Sequence, residues 1–172
     1  IEYYPTRDSL FSVGFFYKDI KNPIYQIVQK GIANPGDIPG ASATDYPKID
    51  LTQYTNMDKE FIGGVEVNAQ TQFTGLPGFL SGFGLSANYT YTHARNSAGE
   101  ALPYSSDNAV NLSPYYEKGP LSARLIYGWR SKYLAGGFIA GAAPATVDAY
   151  TELDASFGWT FNPNFSVTLD AM

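Results

Sequence analysis

Cysteine is absent from the sequence, which excludes a disulfide framework and any thiolate metal site. Histidine occurs once, at His93, so these residues cannot build a multi-histidine zinc centre. No run of about 18 apolar residues occurs, and a transmembrane helix needs one. Charge is scarce too: Asp, Glu, Lys and Arg make up 16% of the 172 residues, against about 25% in ordinary soluble domains. The remaining balance is acidic, at -5, with no basic stripe to serve as a nucleic-acid footprint and no like-charge block. Neither a Gly-x-Ser-x-Gly elbow nor a Walker-type loop is present. The chain is therefore read as a non-enzyme, with no cofactor and no resident metal. It opens Ile1-Glu2-Tyr3-Tyr4 without a basic or apolar leader, so the secretory signal of an exported protein is expected upstream.

What is present is aromatic and alternating. Aromatics also reach 16%, and a chain poor in charge but rich in aromatic and β-branched residues favours strands. Val65, Val67, Ala69, Thr71 and Phe73 alternate with Glu66, Asn68, Gln70 and Gln72. A period of two sustained over nine residues is compatible only with a strand that has two distinct faces. The same pattern returns at residues 83–92, 121–130 and 152–161, where Ile126 is the one apolar intruder on the polar side. Weaker versions cover 10–18, 108–116 and 165–172, making seven predicted strands. Several reach ten residues, which is the length of a tilted membrane-crossing strand rather than the five or six usual in soluble folds. The polar face, built of Ser, Thr, Asn, Gln and Gly, suits a wet lumen.

The links between these strands carry an independent signal. Short ones at 5–8, 74–82, 117–120 and 162–164 alternate strictly with long ones at 19–57, 94–107 and 131–150. An outer-membrane barrel has this asymmetry, with tight periplasmic turns and long extracellular loops. Asn162-Pro163-Asn164, Lys118-Gly119-Pro120 and Leu76-Pro77-Gly78 supply the turn residues. The expected fold is thus all-β, a partial transmembrane antiparallel up-and-down barrel. Val67, Leu85, Leu125 and Phe157 are expected to face lipid, and Gln70, Asn88, Arg124 and Ser156 the lumen. Seven strands cannot close a membrane barrel, whose smallest form has about eight, and open edges in lipid leave costly unpaired backbone groups.

Several stretches, in their order, resemble TonB-dependent receptors. They are Phe16-Tyr17-Lys18-Asp19-Ile20, Gly64-Val65-Glu66, Asn88-Tyr89-Thr90-Tyr91-Thr92, Tyr115-Tyr116-Glu117-Lys118-Gly119, Tyr127-Gly128-Trp129-Arg130-Ser131-Lys132-Tyr133 and Leu153-Asp154-Ala155-Ser156. The resemblance spans essentially the whole chain. It implies a barrel of about 22 strands with a plug folded inside, located in the outer membrane and importing a solute with energy from the TonB complex. On this reading residues 1–172 are a C-terminal portion of the barrel without the plug, the TonB box or the closing strands. The implied partners are outer-membrane lipid, the TonB complex (through the N-terminal part) and the transported solute, such as a ferric siderophore or an oligosaccharide. A passive porin-like barrel or a soluble β-sandwich binding protein is the alternative, since a sandwich also alternates its faces.

Candidate site residues fall in two groups. Tyr25, Tyr46, Tyr54, Tyr104, Tyr133 and Phe138 lie in or beside the long links, where they can stack on a solute or form an interfacial aromatic girdle. Arg130 and Lys132 face Glu152 and Asp154 across neighbouring strands, and a lumen charge network is expected there, with solute contact as the other role. Asn88-Tyr89-Thr90 fits a glycosylation sequon but lies within a strand. His93 is expected at an interface, without a chemical role.

Overall fold

The computed structural model describes residues 1–36, 39–40, 42–136, 139–140 and 145–172. In chain order the strands are β1 (Glu2–Tyr3), β2 (Ser9–Ile20), β3 (Ile24–Ala33), β4 (Lys48–Asn56), β5 (Glu60–Gln72), β6 (Phe83–Asn96) and β7 (Asn108–Lys118). They continue with β8 (Leu121–Arg130), β9 (Tyr133–Ala135), β10 (Ile139–Ala140), β11 (Ala145–Val147), β12 (Tyr150–Asn162) and β13 (Phe165–Ala171). A 3-10 turn, Gly78–Gly82, occupies the link before β6.

One open antiparallel meander contains eight strands in the order β1-β2-β5-β6-β7-β8-β12-β13. Its seven long strands are those expected from the alternation. Most are longer than the sequence pattern alone marked, with β2, β5, β6 and β12 at 12, 13, 14 and 13 residues. Apolar side chains share one face because directly opposed residues point the same way. Val13, Val67, Tyr89, Val110, Trp129 and Thr151 form one continuous cross-strand row on it. The opposite face carries the row Ser12, Asn68, Asn88, Asn111, Gly128 and Glu152. In that polar row the Asn88 amide donates to Asn68 at 2.6 Å, and the Asn68 amide donates to Ser12 at 3.2 Å. These bonds satisfy groups that the sheet shields on one side.

The first row also climbs. Val13 is the fifth residue of β2 counted from its short-link end, whereas Thr151 is the twelfth of β12. Seven residues are gained in five strand steps. At ~3.3 Å per residue and ~4.8 Å per step, the strands lean by about 45° from the perpendicular to the line through their short-link ends. That is the inclination of a membrane barrel wall.

Glycine sets the close approaches on the polar face. A Cβ at Gly64 would collide with the Tyr91 carbonyl oxygen and the Phe16 ring, and one at Gly84 with the Tyr115 ring. Gly64→Ala is expected to cost about 1–3 kcal/mol, because the obstruction at Tyr91 is backbone and cannot rotate away. The folded fraction on a heat-modifiability gel is the measurement. Gly75→Ala, with nothing within 4 Å of the added carbon, is the control that should leave the fraction unchanged.

Two features depart from a plain run of alternating strands. Pro114 sits inside β7, and pairing with β8 lapses at Ser113 and Pro114 while pairing with β6 continues unbroken. Proline has no N–H to donate. The link 21–59 is largely a hairpin of β3 and β4, to which β10 adds in parallel through Ile139 opposite Val28 and Ala140 opposite Gln29. A bulge at Gly31, whose φ is +63°, bends that hairpin.

Candidate functional site

All three long links lie at the same end of the meander, and they are tied to one another. β10, from the link between β8 and β12, pairs with β3 of the link between β2 and β5. Tyr104, in the link between β6 and β7, donates its N–H to the Leu134 carbonyl at 2.8 Å. Tyr104 holds a φ of +61°, a conformation uncommon for a bulky side chain, and its ring remains exposed. The link 97–107 is itself braced. Arg95 grips Asp107 with two bonds of 3.2 Å, and Asn96 accepts from the N–H groups of Ala98 and Glu100. Bidentate geometry of this kind fixes orientation as well as charge.

Beneath these links, at the outer end of the polar face, Arg130 stands opposite Tyr150 in the register. Its guanidinium lies 4.8 Å from the centre of the Tyr133 ring and 5.6 Å from that of Tyr150. Both distances are within cation–π range. Tyr133 is placed by the β9–β11 pairing, where it opposes Val147. Two recesses adjoin this stack. One, of about 340 Å³, is lined by Asn111, Arg130, Tyr150 and Glu152. The other, of about 360 Å³, is lined by Asp107, Ser131, Lys132, Tyr133 and Leu134. Together they present hydrogen-bond donors, one guanidinium, one ammonium and aromatic walls, the equipment for holding a polar or anionic solute.

The expected charge network takes a different form here. Glu152 opposes Gly128, one alternate position from Arg130, and Asp154 opposes Ile126. Among the described residues the ion pairs are Arg95–Asp107 and Arg124–Glu117, so Arg130 is held by the two rings and Lys132 projects into its recess unpaired. Glu152 and Asp154 stay on the polar face, with no ion-pair partner among the described residues. The attraction of a planar guanidinium for an aromatic face competes with a carboxylate whose charge water still screens.

The loop aromatics are dispersed. Tyr46 and Tyr54 are exposed on the β3–β4 hairpin. Tyr25 is half-buried, and its hydroxyl is engaged with Glu60 at the top of β5. Burial chiefly, then that bond and the Glu60 charge, push the Tyr25 hydroxyl well above its ordinary value. Glu60 itself is 5% exposed, so the pair pins the base of the hairpin to the wall. Phe138 lies outside the described residues. His93 is on the apolar face beside Phe61, ring centres 5.5 Å apart, and Asn88 is bonded within the polar row rather than displayed at the surface. Tyr150 was missed by sequence reasoning. Its signal was the 150/152/154 alternation, which puts it on the same face as Arg130.

A family model described as TonB dependent receptor-like, beta-barrel, matches residues 1–172. No curated relative matches the sequence. Among solved structures, the chain is similar to the ferric-catecholate import receptor Fiu of E. coli K12, with a TM-score of 0.64 and 19% identity over 96% of this chain and 21% of that one. A variant of the ferric enterobactin receptor PfeA of Pseudomonas aeruginosa gives 0.66 and 21% over 98% and 24%. The copper transporter OprC gives 0.66 and 16% over 97% and 23%. The chain thus spans less than a quarter of the length of these proteins.

Proposed function

The chain belongs to the TonB-dependent receptor β-barrel family, and from that membership we propose that it forms wall and extracellular loops of an outer-membrane receptor for active solute import. Residues 1–172 act in this reading as a C-terminal portion of the barrel, with the plug and the TonB contact supplied by other parts of the receptor. The observation that carries the reading is the tilted meander with one apolar and one polar face, all of whose long links gather at one end. Such a sheet is at home in a bilayer, because its interior strands are paired on both sides, the lapse at Ser113 and Pro114 apart, while the apolar face meets lipid. The tied links and the Arg130–Tyr133–Tyr150 stack then lie at the mouth, where they form part of the solute entrance. The solute is a ferric siderophore, an oligosaccharide or a molecule of similar size and polarity. Arg130, Lys132, Glu152 and Asp154 line its way, and Tyr46, Tyr54 and Tyr104 offer ring surfaces above it.

Energy dependence tests the proposal. The receptor that carries this chain is expressed in cells with and without TonB, and uptake is followed for a radiolabelled ferric catecholate, a ferric hydroxamate and a maltooligosaccharide. Import of one of them should fall by at least about tenfold without TonB, equivalent to ~1.4 kcal/mol of lost driving advantage. Equal uptake in both backgrounds would instead make the barrel a passive pore.

A further inference from the structure

The apolar face of the meander is not uniform, and its irregularity is close to the short-link end. Pro114, Ala123 and Ala155, on β7, β8 and β12, line one depression together, staggered so that Ala123 opposes Tyr116 and Ala155 opposes Leu125. These small residues leave a notch of about 330 Å³ bordered by Phe83, Tyr116 and Leu125. Four residues further along β7, and pointing the same way as Pro114 and Tyr116, is Lys118. Its ammonium donates to the Ser81 hydroxyl at 2.6 Å and to the Gly78 carbonyl. It has no ion-pair partner among the described residues. Between notch and cation stands an aromatic cluster, with Phe83 5.0 Å from Tyr116 and 6.5 Å from Phe79, each measured between ring centres.

We propose that this notch and Lys118 together bind one glycerophospholipid of the periplasmic leaflet, an acyl chain seated against Pro114, Ala123 and Ala155 and the phosphate at the Lys118 ammonium. The site rests on the reading of this sheet as membrane wall, since only then does the notch open to lipid. Four residues at ~3.3 Å each separate Lys118 from Pro114 by about 13 Å along the strand, a span that takes a headgroup phosphate into the upper acyl region. Lysine has three donors, and two are used, so one remains for a phosphate oxygen. The charge is complementary, and the aromatic cluster occupies the level where amphipathic rings border a bilayer. An empty depression of this size would forfeit contacts that the flat wall around it makes with lipid.

Native mass spectrometry of the intact receptor, extracted in mild detergent and stripped of bulk lipid, tests the site. One retained glycerophospholipid is expected, and delipidated receptor should recover it from added phosphatidylglycerol. Ala155→Phe, which fills the notch, and Lys118→Gln, which removes the cation, should each lower retained lipid at least fivefold. Val67→Phe, on the same face away from the notch, should leave retention unchanged. Should Ala155→Phe fail to fold on a heat-modifiability gel, Ala123→Leu takes its place. Equal retention in all variants, preference for lipid A over phosphatidylglycerol, or a second copy of the receptor in the notch would each overturn the proposal. A receptor recovered folded without any detergent would overturn the membrane reading instead.

Discussion

Leu125→Arg is expected to destabilise the assembled barrel by about 2–4 kcal/mol, the cost of a guanidinium near the bilayer midplane. Leu125 is on the apolar face, 41% exposed, midway along β8, where it opposes Ala155. An arginine there cannot reach the polar face through the sheet, and both interfaces are several residues away. Phe157 and Val67, on the same face, should behave alike, with the cost shrinking toward the strand ends where the side chain can snorkel. Gln70→Arg is the comparison on the opposite face, where the side chain is exposed and meets water in the lumen. Its cost should stay within about 0.5 kcal/mol. Asn88 is a poorer choice of control, since replacing it also breaks the bond to Asn68. Urea unfolding of the receptor in lipid vesicles, followed by tryptophan fluorescence, gives both values. Similar penalties at Leu125 and Gln70 would refute the assignment of the two faces.

Deletion of residues 135–149 should leave the barrel heat-resistant and weaken solute binding by at least about tenfold, or ~1.4 kcal/mol. The wall does not depend on this segment, because β8 and β12 pair directly from Arg130 opposite Tyr150 onward. The outer layer does depend on it. The deletion removes β10, the parallel partner of β3, and β11, which seats Tyr133 against Arg130. Among the described residues, the β3–β4 hairpin then keeps its own ladder and the Tyr25–Glu60 tether, and a lone two-stranded hairpin is marginally stable in water. Solute affinity on outer-membrane preparations is read beside a gel-shift assay of barrel integrity. Affinity and uptake both unchanged would show that the segment is only a cover.

The long strands were legible because their faces differ in chemistry at every second residue. Glu66, Asn68, Gln70 and Gln72 against Val65, Val67, Ala69 and Thr71 leave little freedom in how β5 can lie. The β3–β4 hairpin was harder, since Ile24–Ala33 carries apolar residues on both sides at Ile27 and Val28 and is not buried on either. Pro114 weakened the pattern of β7 without hiding the strand, which the alternation marks over 108–116. A proline argues against a central strand, and it is accommodated here because the ladder to β8 lapses at Ser113 and Pro114 while that to β6 continues. At the site, the sequence placed Arg130, Glu152 and Asp154 on one face correctly, but alternation says nothing about which neighbour a guanidinium will choose.

Taken alone, the sequence determined that the protein is a succession of long two-faced strands joined by alternately short and long links, because side-chain direction in a strand is set by local backbone geometry with a period of two. The tertiary structure decided the stagger that tilts those strands, the addition of β10 to β3, more than a hundred residues earlier in the chain, and the seating of Arg130 against Tyr133 and Tyr150. Each of these is a choice among pairings that look alike from within one segment. The difference in free energy between them arises only when distant segments meet.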